Sequence, residues 1–207
     1  KHPEYPAPRN LEQYFVQRCN DILLLKGITT AGWEEIALRY DKATGFTPEV
    51  NSSLTQRNLM PYCWNSIPGR GTEDISHRLA NKGFAAVQAN ATNLYLDMAY
   101  YRDPQEPGYY WANYITTETA FAFAPFSLPA CPLTGKGSLN NWSNNCSERM
   151  SWLNDNGKMN LRGIEACLWG ENGAGADWVD FMLFPRLIAV AERAWSTIPA
   201  WETENDS

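Results

Sequence analysis

Hydrophobic and polar residues follow two different periods along this chain. Between residues 11 and 26 the apolar side chains recur every three or four positions, at Leu11, Tyr14, Phe15, Cys19, Ile22 and Leu23. This spacing predicts an amphipathic helix, and Gly27 follows it as a stop signal. The next run, residues 28–33, is short and partly β-branched, which is typical of a strand.

Further short apolar runs predict more strands, at residues 59–64, 84–89 and 161–169, with a weaker one at residues 94–97. The run Phe84-Ala85-Ala86-Val87-Gln88-Ala89 is almost continuously apolar. Strands that are buried on both faces of a parallel sheet have this composition. We therefore expect a parallel sheet.

Helical patterns separate these strands. Residues 72–81 predict a helix with Thr72 as its N-cap and Gly83 just past its end. Residues 116–123, opened by Thr117, predict a second helix, and residues 178–195 predict one long apolar helix. Residues 125–156 have no clear period and predict a long loop. The alternation favours an α/β fold with about four strand–helix units, which is half of a (β/α)₈ barrel.

The composition fits a carbohydrate-binding protein. Nine Trp and ten Tyr in 207 residues exceed what a core needs, and flat indole faces pack on the apolar faces of sugar rings. The net charge of −6 argues against nucleic acid or an anionic membrane surface as the main partner. No run of about 18 apolar residues occurs, so no membrane-spanning helix is predicted.

The cysteines do not predict a metal site. There are five of them, without a C-x-x-C spacing. Cys131 and Cys146 flank a Gly/Asn/Ser-rich loop and either form a disulfide or remain free thiols. Glycosylation sequons begin at Asn51, Asn90, Asn141 and Asn145. A bridged loop and sequons fit an exported protein, whether periplasmic, secreted or lysosome-like.

An aromatic residue beside polar residues ends each candidate strand. The four segments are Gly32-Trp33-Glu34-Glu35, Cys63-Trp64-Asn65, Tyr95-Leu96-Asp97 and Leu168-Trp169-Gly170-Glu171. Taken singly, the tryptophans fit core or rim positions, Asp97 fits a helix cap and Glu171 fits the solvent face. Because the carboxyl ends of barrel strands build the active site, their recurrence favours one cleft for a sugar.

The order of these motifs resembles glycoside hydrolase family 20, the β-N-acetylhexosaminidases and bacterial chitobiases. The resemblance also covers Gly108-Tyr109-Tyr110-Trp111, the segment from Gly163 to Glu171, Phe184-Pro185-Arg186-Leu187, and Ala191-Glu192-Arg193-Ala194-Trp195. It implies a retaining exo-hydrolase that removes terminal GlcNAc or GalNAc from chitooligosaccharides or glycans. The substrate's own acetamido group acts as nucleophile and forms an oxazolinium, and no metal or cofactor is implied.

The resemblance assigns a role to seven residues. Tyr95 matches the tyrosine that holds the acetamido oxygen, and Asp97 and Glu171 match carboxylates that bind hydroxyls of the terminal sugar. Trp33, Trp64 and Trp169 match an aromatic box around the acetamido group and the sugar ring. Trp111 matches a tryptophan that stacks on the next sugar.

The family's acid–base pair, an adjacent Asp-Glu, is absent from the sequence. Glu34-Glu35 is the nearest imitation, but it belongs to the motif of the following strand. We therefore expect residues 1–207 to form one partial catalytic domain, about strands 5–8 of the barrel, which is inactive without the N-terminal half. That half would lie in a preceding segment of the gene or in a separate chain.

Two other interpretations remain open at this stage. The chain is alternatively a non-catalytic carbohydrate-binding fragment or a truncated inactive paralogue, or an unrelated α/β domain with a Trp-rich core.

Overall fold

A computed structural model describes residues 8–39, 48–127, 150–173 and 175–200. The strands are β1 (Thr30–Trp33), β2 (Leu38–Arg39), β3 (Glu49–Val50), β4 (Leu59–Cys63), β5 (Ala86–Gln88) and β6 (Leu161–Ile164). The helices are α1 (Pro8–Leu24), α2 (Ile75–Asn81), α3 (Ala91–Leu94), α4 (Thr117–Phe121), α5 (Asp155–Asn160), α6 (Ala176–Leu183) and α7 (Arg186–Trp195). Short 3₁₀ helices cover Glu34–Ala37 and Ser52–Arg57.

Four strands form one parallel sheet in the order β1-β4-β5-β6. Their last residues lie level with one another, since Trp33 pairs with Tyr62, Cys63 with Gln88, and Gln88 with Ile164. The α/β class with a parallel sheet is confirmed. Residues that follow these strands consequently lie together at the carboxyl ends of the strands.

Two clusters of buried side chains pack around the sheet. The first lies between α2 and strands β4 and β5, with Leu79, Phe84 and Cys63 among its members. The second lies under the turn that follows β5 and contains Leu94, Tyr95 and Met98. Because Tyr95 belongs to the second cluster, the site and the core share side chains.

The structure corrects several of the predicted elements. Residues 94–97 are not a strand; α3 ends at Leu94, and Tyr95 then makes a single bridge to Cys167. The last strand ends at Ile164 instead of Trp169. The helix predicted from Thr72 begins at Ile75, with Asp74 before it. The predicted loop 125–156 overlaps the first two residues of helix α5 (Asp155–Asn160), which was not predicted.

The long apolar segment 178–195 forms two helices instead of one. Helix α6 ends at Leu183, and α7 begins at Arg186 directly after Pro185. Proline has no backbone N–H and cannot continue the hydrogen-bond ladder of the preceding helix. Pro185 therefore separates the two elements.

Some predictions fall on residues that the structure does not describe. Cys131, Cys146, Asn141 and Asn145 lie outside the described ranges. Within them, Cys19, Cys63 and Cys167 are free thiols. No helix in the described part of the chain is long and apolar enough to cross a membrane.

Candidate active site

The carboxyl ends of the parallel strands surround a cavity of about 810 Å³. It brings together all seven residues assigned from the sequence: Trp33, Trp64, Tyr95, Asp97, Trp111, Trp169 and Glu171. Trp33 is the last residue of β1, Trp64 follows β4, and Tyr95 follows the short helix after β5. Trp169 and Glu171 come after β6.

Five aromatic side chains of the cavity form a continuous row of ring contacts, in the order Trp33, Trp169, Tyr95, Trp111 and Trp64. The ring of Trp33 lies 5.8 Å from that of Trp169, and Trp169 lies 5.8 Å from Tyr95. Tyr95 meets Trp111 edge to face at 6.0 Å, and Trp111 meets Trp64 in the same way at 6.3 Å. Such contacts fix the angles between neighbouring ring planes.

The Tyr95 hydroxyl is an uncharged donor inside this wall. The residue is 4% exposed, and parallel bridging to Cys167 brings its ring beside Trp169. Burial, with smaller contributions from the nearby Cys167 and Asp97, raises its pKa far above the usual value for tyrosine. Tyr95 therefore keeps its O–H proton at neutral pH.

The Asp97 carboxyl is buried, and one of its two oxygens has no hydrogen-bond partner among the described residues. The residue is 2% exposed, and the oxygen without a partner is Oδ1. Burial raises its pKa to about 6, while backbone hydrogen bonds, including one to Trp169, lower it. A buried oxygen without a partner can accept a hydrogen bond from a ligand hydroxyl.

Arg186 holds the turn that carries Asp97. This fully buried guanidinium donates to the carbonyls of Leu96 at 2.6 Å, Met98 at 2.7 Å and Ile115 at 3.0 Å. It also stacks over the Tyr100 ring at 3.8 Å. Backbone oxygens at three points are thereby tied to the first turn of α7, which fixes the backbone on both sides of Asp97.

A glycine lets the Trp111 segment approach this turn. Tyr109 N donates to Asp97 O at 2.8 Å, and Ala99 N donates to Tyr109 O at 2.6 Å. A Cβ atom on Gly108 would lie 2.4 Å from Ala99 N, so only glycine fits. The close pairing brings Trp111 to the mouth of the cavity, where it is 46% exposed.

Glu34 is not placed as a proton donor, although burial raises its pKa to about 7. It is 2% exposed, and its Oε2 atom accepts backbone N–H bonds from Trp64 at 2.8 Å and Asn65 at 3.2 Å. It is not among the residues that line the cavity. Its carboxyl group supports the backbone after β4.

The sequence reasoning missed four further polar or aromatic residues of the cavity wall: Glu12, Glu35, Arg70 and Tyr109. Glu12 lies on α1, before the first strand, and no spacing signal connects it with the strand ends. Glu35 and Tyr109 belong to motifs quoted above but received no role. In the described ranges no cluster of three or more His, Cys, Asp or Glu side chains is arranged for a metal ion.

Comparison with known proteins identifies the family of the chain. The profile "Glycosyl hydrolase family 20, catalytic domain" matches residues 2–198. The chain belongs to this family. The recognition made from the ordered motifs is thus confirmed.

The chain is similar to several members of the family. It is 29% identical over 198 residues to a beta-hexosaminidase of Vibrio vulnificus, covering 95% of this chain and 22% of that protein. The N,N'-diacetylchitobiase of Vibrio harveyi is 28% identical, with 94% and 20% covered.

Solved structures show the same similarity. The crystal structure of the GH20 exo beta-N-acetylglucosaminidase of Vibrio harveyi in complex with N-acetylglucosamine superimposes with a TM-score of 0.67. Identity to it is 26%, over 97% of this chain and 25% of that one. The chain thus spans about a fifth to a quarter of the length of these relatives.

Proposed function

We propose that this chain supplies the acetamido-binding side of a β-N-acetylhexosaminidase active site, which releases terminal β-linked GlcNAc or GalNAc from chitooligosaccharides or glycans. The cavity carries this proposal, because the Tyr95 hydroxyl, the carboxylates of Asp97 and Glu171 and a continuous aromatic wall converge on it. Family membership supports the reaction class. The relative solved with N-acetylglucosamine supports the sugar.

The proposed reaction is retaining and uses the substrate's own acetamido oxygen as nucleophile. That oxygen attacks C1 while the glycosidic oxygen leaves with a proton from a general acid, and an oxazolinium results. Water then attacks C1, returns a proton to the conjugate base and reopens the ring. Positive charge develops on the oxazolinium as the acetamido oxygen forms its bond to C1. A fixed hydrogen-bond donor can orient that oxygen for the attack.

In this scheme the Tyr95 hydroxyl donates to the acetamido oxygen and directs it toward C1. Asp97, with its free Oδ1, and Glu171 accept hydrogen bonds from hydroxyls of the terminal sugar. Trp33, Trp64 and Trp169 enclose the acetamido group and the sugar ring, and Trp111 stacks on the next sugar. Each role is part of the proposal.

The general acid is assigned to a segment outside residues 1–207. An adjacent Asp-Glu pair does not occur in the sequence, and the buried Glu34 already accepts two backbone N–H bonds. In the proposal, β1, β4, β5 and β6 are about strands 5–8 of a (β/α)₈ barrel. The other half would come from a preceding segment of the gene or from a separate chain.

Exposed apolar side chains support the half-barrel assignment. They lie on α1, beside the edge strand β1, and on α6 and α7 at the other end of the described chain: Leu11, Phe15, Ile22, Val179, Phe181, Ile188 and Trp195. Large exposed apolar surfaces in folded proteins mark contacts with other elements. In a closed barrel both sets would face neighbouring helices.

A second candidate function is carbohydrate binding without hydrolysis. The absence of the Asp-Glu pair from the sequence favours it. Under that alternative, the protein would bind GlcNAc through the same cavity and leave its glycosides intact.

Release of 4-nitrophenol by the complete protein separates the two functions. The GlcNAc β-glycoside should be cleaved, and the matched glucoside, which has a hydroxyl in place of the acetamido group, should be cleaved at least about 10³-fold more slowly because it lacks the nucleophile. Equal rates on both glycosides would contradict the substrate-assisted mechanism. Binding of GlcNAc without release from either glycoside would establish the second function.

A further inference from the structure

Two consecutive carboxylates after β1 contact one tryptophan of the site. Glu35 Oε1 accepts a hydrogen bond from the Trp64 indole Nε1 at 3.1 Å. Glu34 Oε2 accepts the Trp64 backbone N–H at 2.8 Å and that of Asn65 at 3.2 Å. The acidic pair therefore holds Trp64 at its backbone and at the far end of its side chain.

These contacts determine the orientation of the Trp64 ring. A tryptophan side chain rotates about two bonds, and a fixed backbone alone leaves both rotations open. The bond from Glu35 fixes the indole nitrogen and so restricts both of them. Because its acceptor is a carboxylate, this bond is stronger than one between neutral groups.

The orientation of Trp64 matters for the next ring. Trp64 meets Trp111 edge to face at 6.3 Å, and Trp111, nearly half exposed, meets Tyr95 on another side at 6.0 Å. Without the tether the Trp64 edge would no longer support Trp111. Trp111 would then lose one of the two ring contacts that it makes within the described part of the chain.

We infer that Glu35 is a positioning residue, which fixes the Trp64 indole and through it Trp111, and thereby sets affinity for substrates longer than one sugar. This inference rests on the proposed function, because it assigns Trp111 to the sugar next to the terminal one. Glu35 itself lines the cavity but needs no contact with the substrate for this role.

The kinetic test compares two substrates in the complete protein. In Glu35→Ala, KM for N,N'-diacetylchitobiose should rise about 10-fold, the scale of a lost charge-assisted hydrogen bond, while kcat changes less than about 3-fold. KM for 4-nitrophenyl GlcNAc, which has no second sugar, should rise less. Glu35→Gln keeps an oxygen acceptor and should stay within about 3-fold of the original protein.

Two further variants show whether the effect passes through Trp64. Trp64→Phe removes the indole donor, so it should raise KM for the disaccharide on its own, and adding Glu35→Ala should cause no further loss. Glu118→Gln removes an exposed carboxylate on α4, outside the cavity, and leaves the bond to Trp64 in place, so KM should not change. Independent, multiplicative effects of Glu35→Ala and Trp64→Phe would overturn the inference, as would equal harm from Glu35→Gln and Glu35→Ala.

A spectroscopic readout does not depend on catalysis. In the complete protein labelled with 5-fluorotryptophan, the ¹⁹F resonance of Trp64 is assigned by its loss in Trp64→Phe. It should shift or broaden in Glu35→Ala and remain in place in Glu35→Gln and Glu118→Gln. An unshifted resonance in Glu35→Ala overturns the inference, whereas a protein that fails to cleave GlcNAc glycosides overturns only the proposed function.

Discussion

Burial sets the protonation of the two polar residues at the centre of the cavity. Tyr95 keeps its proton because burial raises its pKa, and the pKa of Asp97 is raised to about 6 for the same reason. At neutral pH the neutral hydroxyl donor of Tyr95 therefore lies near the ionised carboxylate acceptor of Asp97. This pairing suits a ligand that presents both a carbonyl oxygen and hydroxyl groups.

The hydroxyl of Tyr95 is the donor in the proposed reaction. In the complete protein, Tyr95→Phe should lower kcat by about 10²-fold or more, as for a lost oxyanion-type donor, and change KM less. The measurement is steady-state release of 4-nitrophenol from the GlcNAc β-glycoside. An unchanged Tm would show that the fold is kept, and near-normal turnover would remove Tyr95 from the mechanism.

The Asp97 carboxyl should make activity depend on pH. Since its pKa is about 6 in the folded protein, it is ionised above pH 6 and becomes protonated as the pH falls through that value. Protonation removes a charged acceptor, so kcat/KM should fall on the acid side, by about tenfold per pH unit.

The same residue should affect stability with the opposite sign. A raised carboxyl pKa means that the folded state binds the proton more tightly than the unfolded chain, so stability is lost as the pH rises toward 6. Asp97→Asn should therefore raise Tm more at pH 7 than at pH 4. A gain in Tm that is equal at both pH values would contradict the assigned cause.

At this scale the sequence indicated which residues belong to one cleft, because aromatic–polar segments followed each predicted strand. It gave no role to Glu35. Its partner Trp64 is 29 residues away, and only the alignment of β1 with β4 brings the two side chains together. Roles for Tyr95, Asp97 and the tryptophans remain predictions until they are measured.

Among the elements, the turn after β5 carries Tyr95 and Asp97, the two polar residues at the centre of the cavity. Arg186 on α7 holds the carbonyls of Leu96 and Met98, and the segment that begins at Gly108 pairs with residues 97–99. Asp97 and Trp111 consequently depend on packing between elements that are far apart in the sequence.

Gly108 tests this dependence. In Gly108→Ala the new Cβ would lie 2.4 Å from Ala99 N, so the two segments must separate. The free energy of unfolding should fall by about 1–3 kcal/mol, and KM for chitooligosaccharides should rise as Trp111 moves. Thermal unfolding of the complete protein measures the first effect.

Gly170 provides the matched control, because a Cβ there meets nothing within 4 Å and the site of substitution lies beside Trp169. Gly170→Ala should leave Tm nearly unchanged. Equal losses of Tm in both variants would show that close approach at Gly108 is not the cause.

Strands were predicted better than the elements around them. The apolar runs at 28–33, 59–64 and 84–89 contain β1, β4 and β5, because continuous apolar character and buried strands go together. The strand predicted at residues 94–97 was wrong. Four alternating residues are too few to distinguish a strand from a turn that is buried by neighbouring elements. The apolar pattern continues across Pro185, so it predicts one helix where the structure has α6 and α7.

For the whole molecule, the parallel sheet ends in two outer strands, β1 and β6. Exposed apolar side chains lie on α1, which contacts β1, and on α6 and α7, which follow β6 in the chain. A unit with this surface is expected to associate with further elements instead of remaining alone in water. The proposed half barrel and the proposed external general acid therefore point to the same segment, the other half of the barrel. That segment would cover the exposed apolar side chains and supply the acid.

The central claim is that residues 1–207 hold the acetamido-binding side of the site and lack its general acid. Release of 4-nitrophenol from the GlcNAc β-glycoside should be compared between the complete protein and residues 1–207 alone, with near-UV circular dichroism reporting whether the shorter chain is folded. We predict turnover by the complete protein and none above the uncatalysed rate by the folded shorter chain. Turnover by residues 1–207 at a rate close to that of the complete protein would contradict the claim.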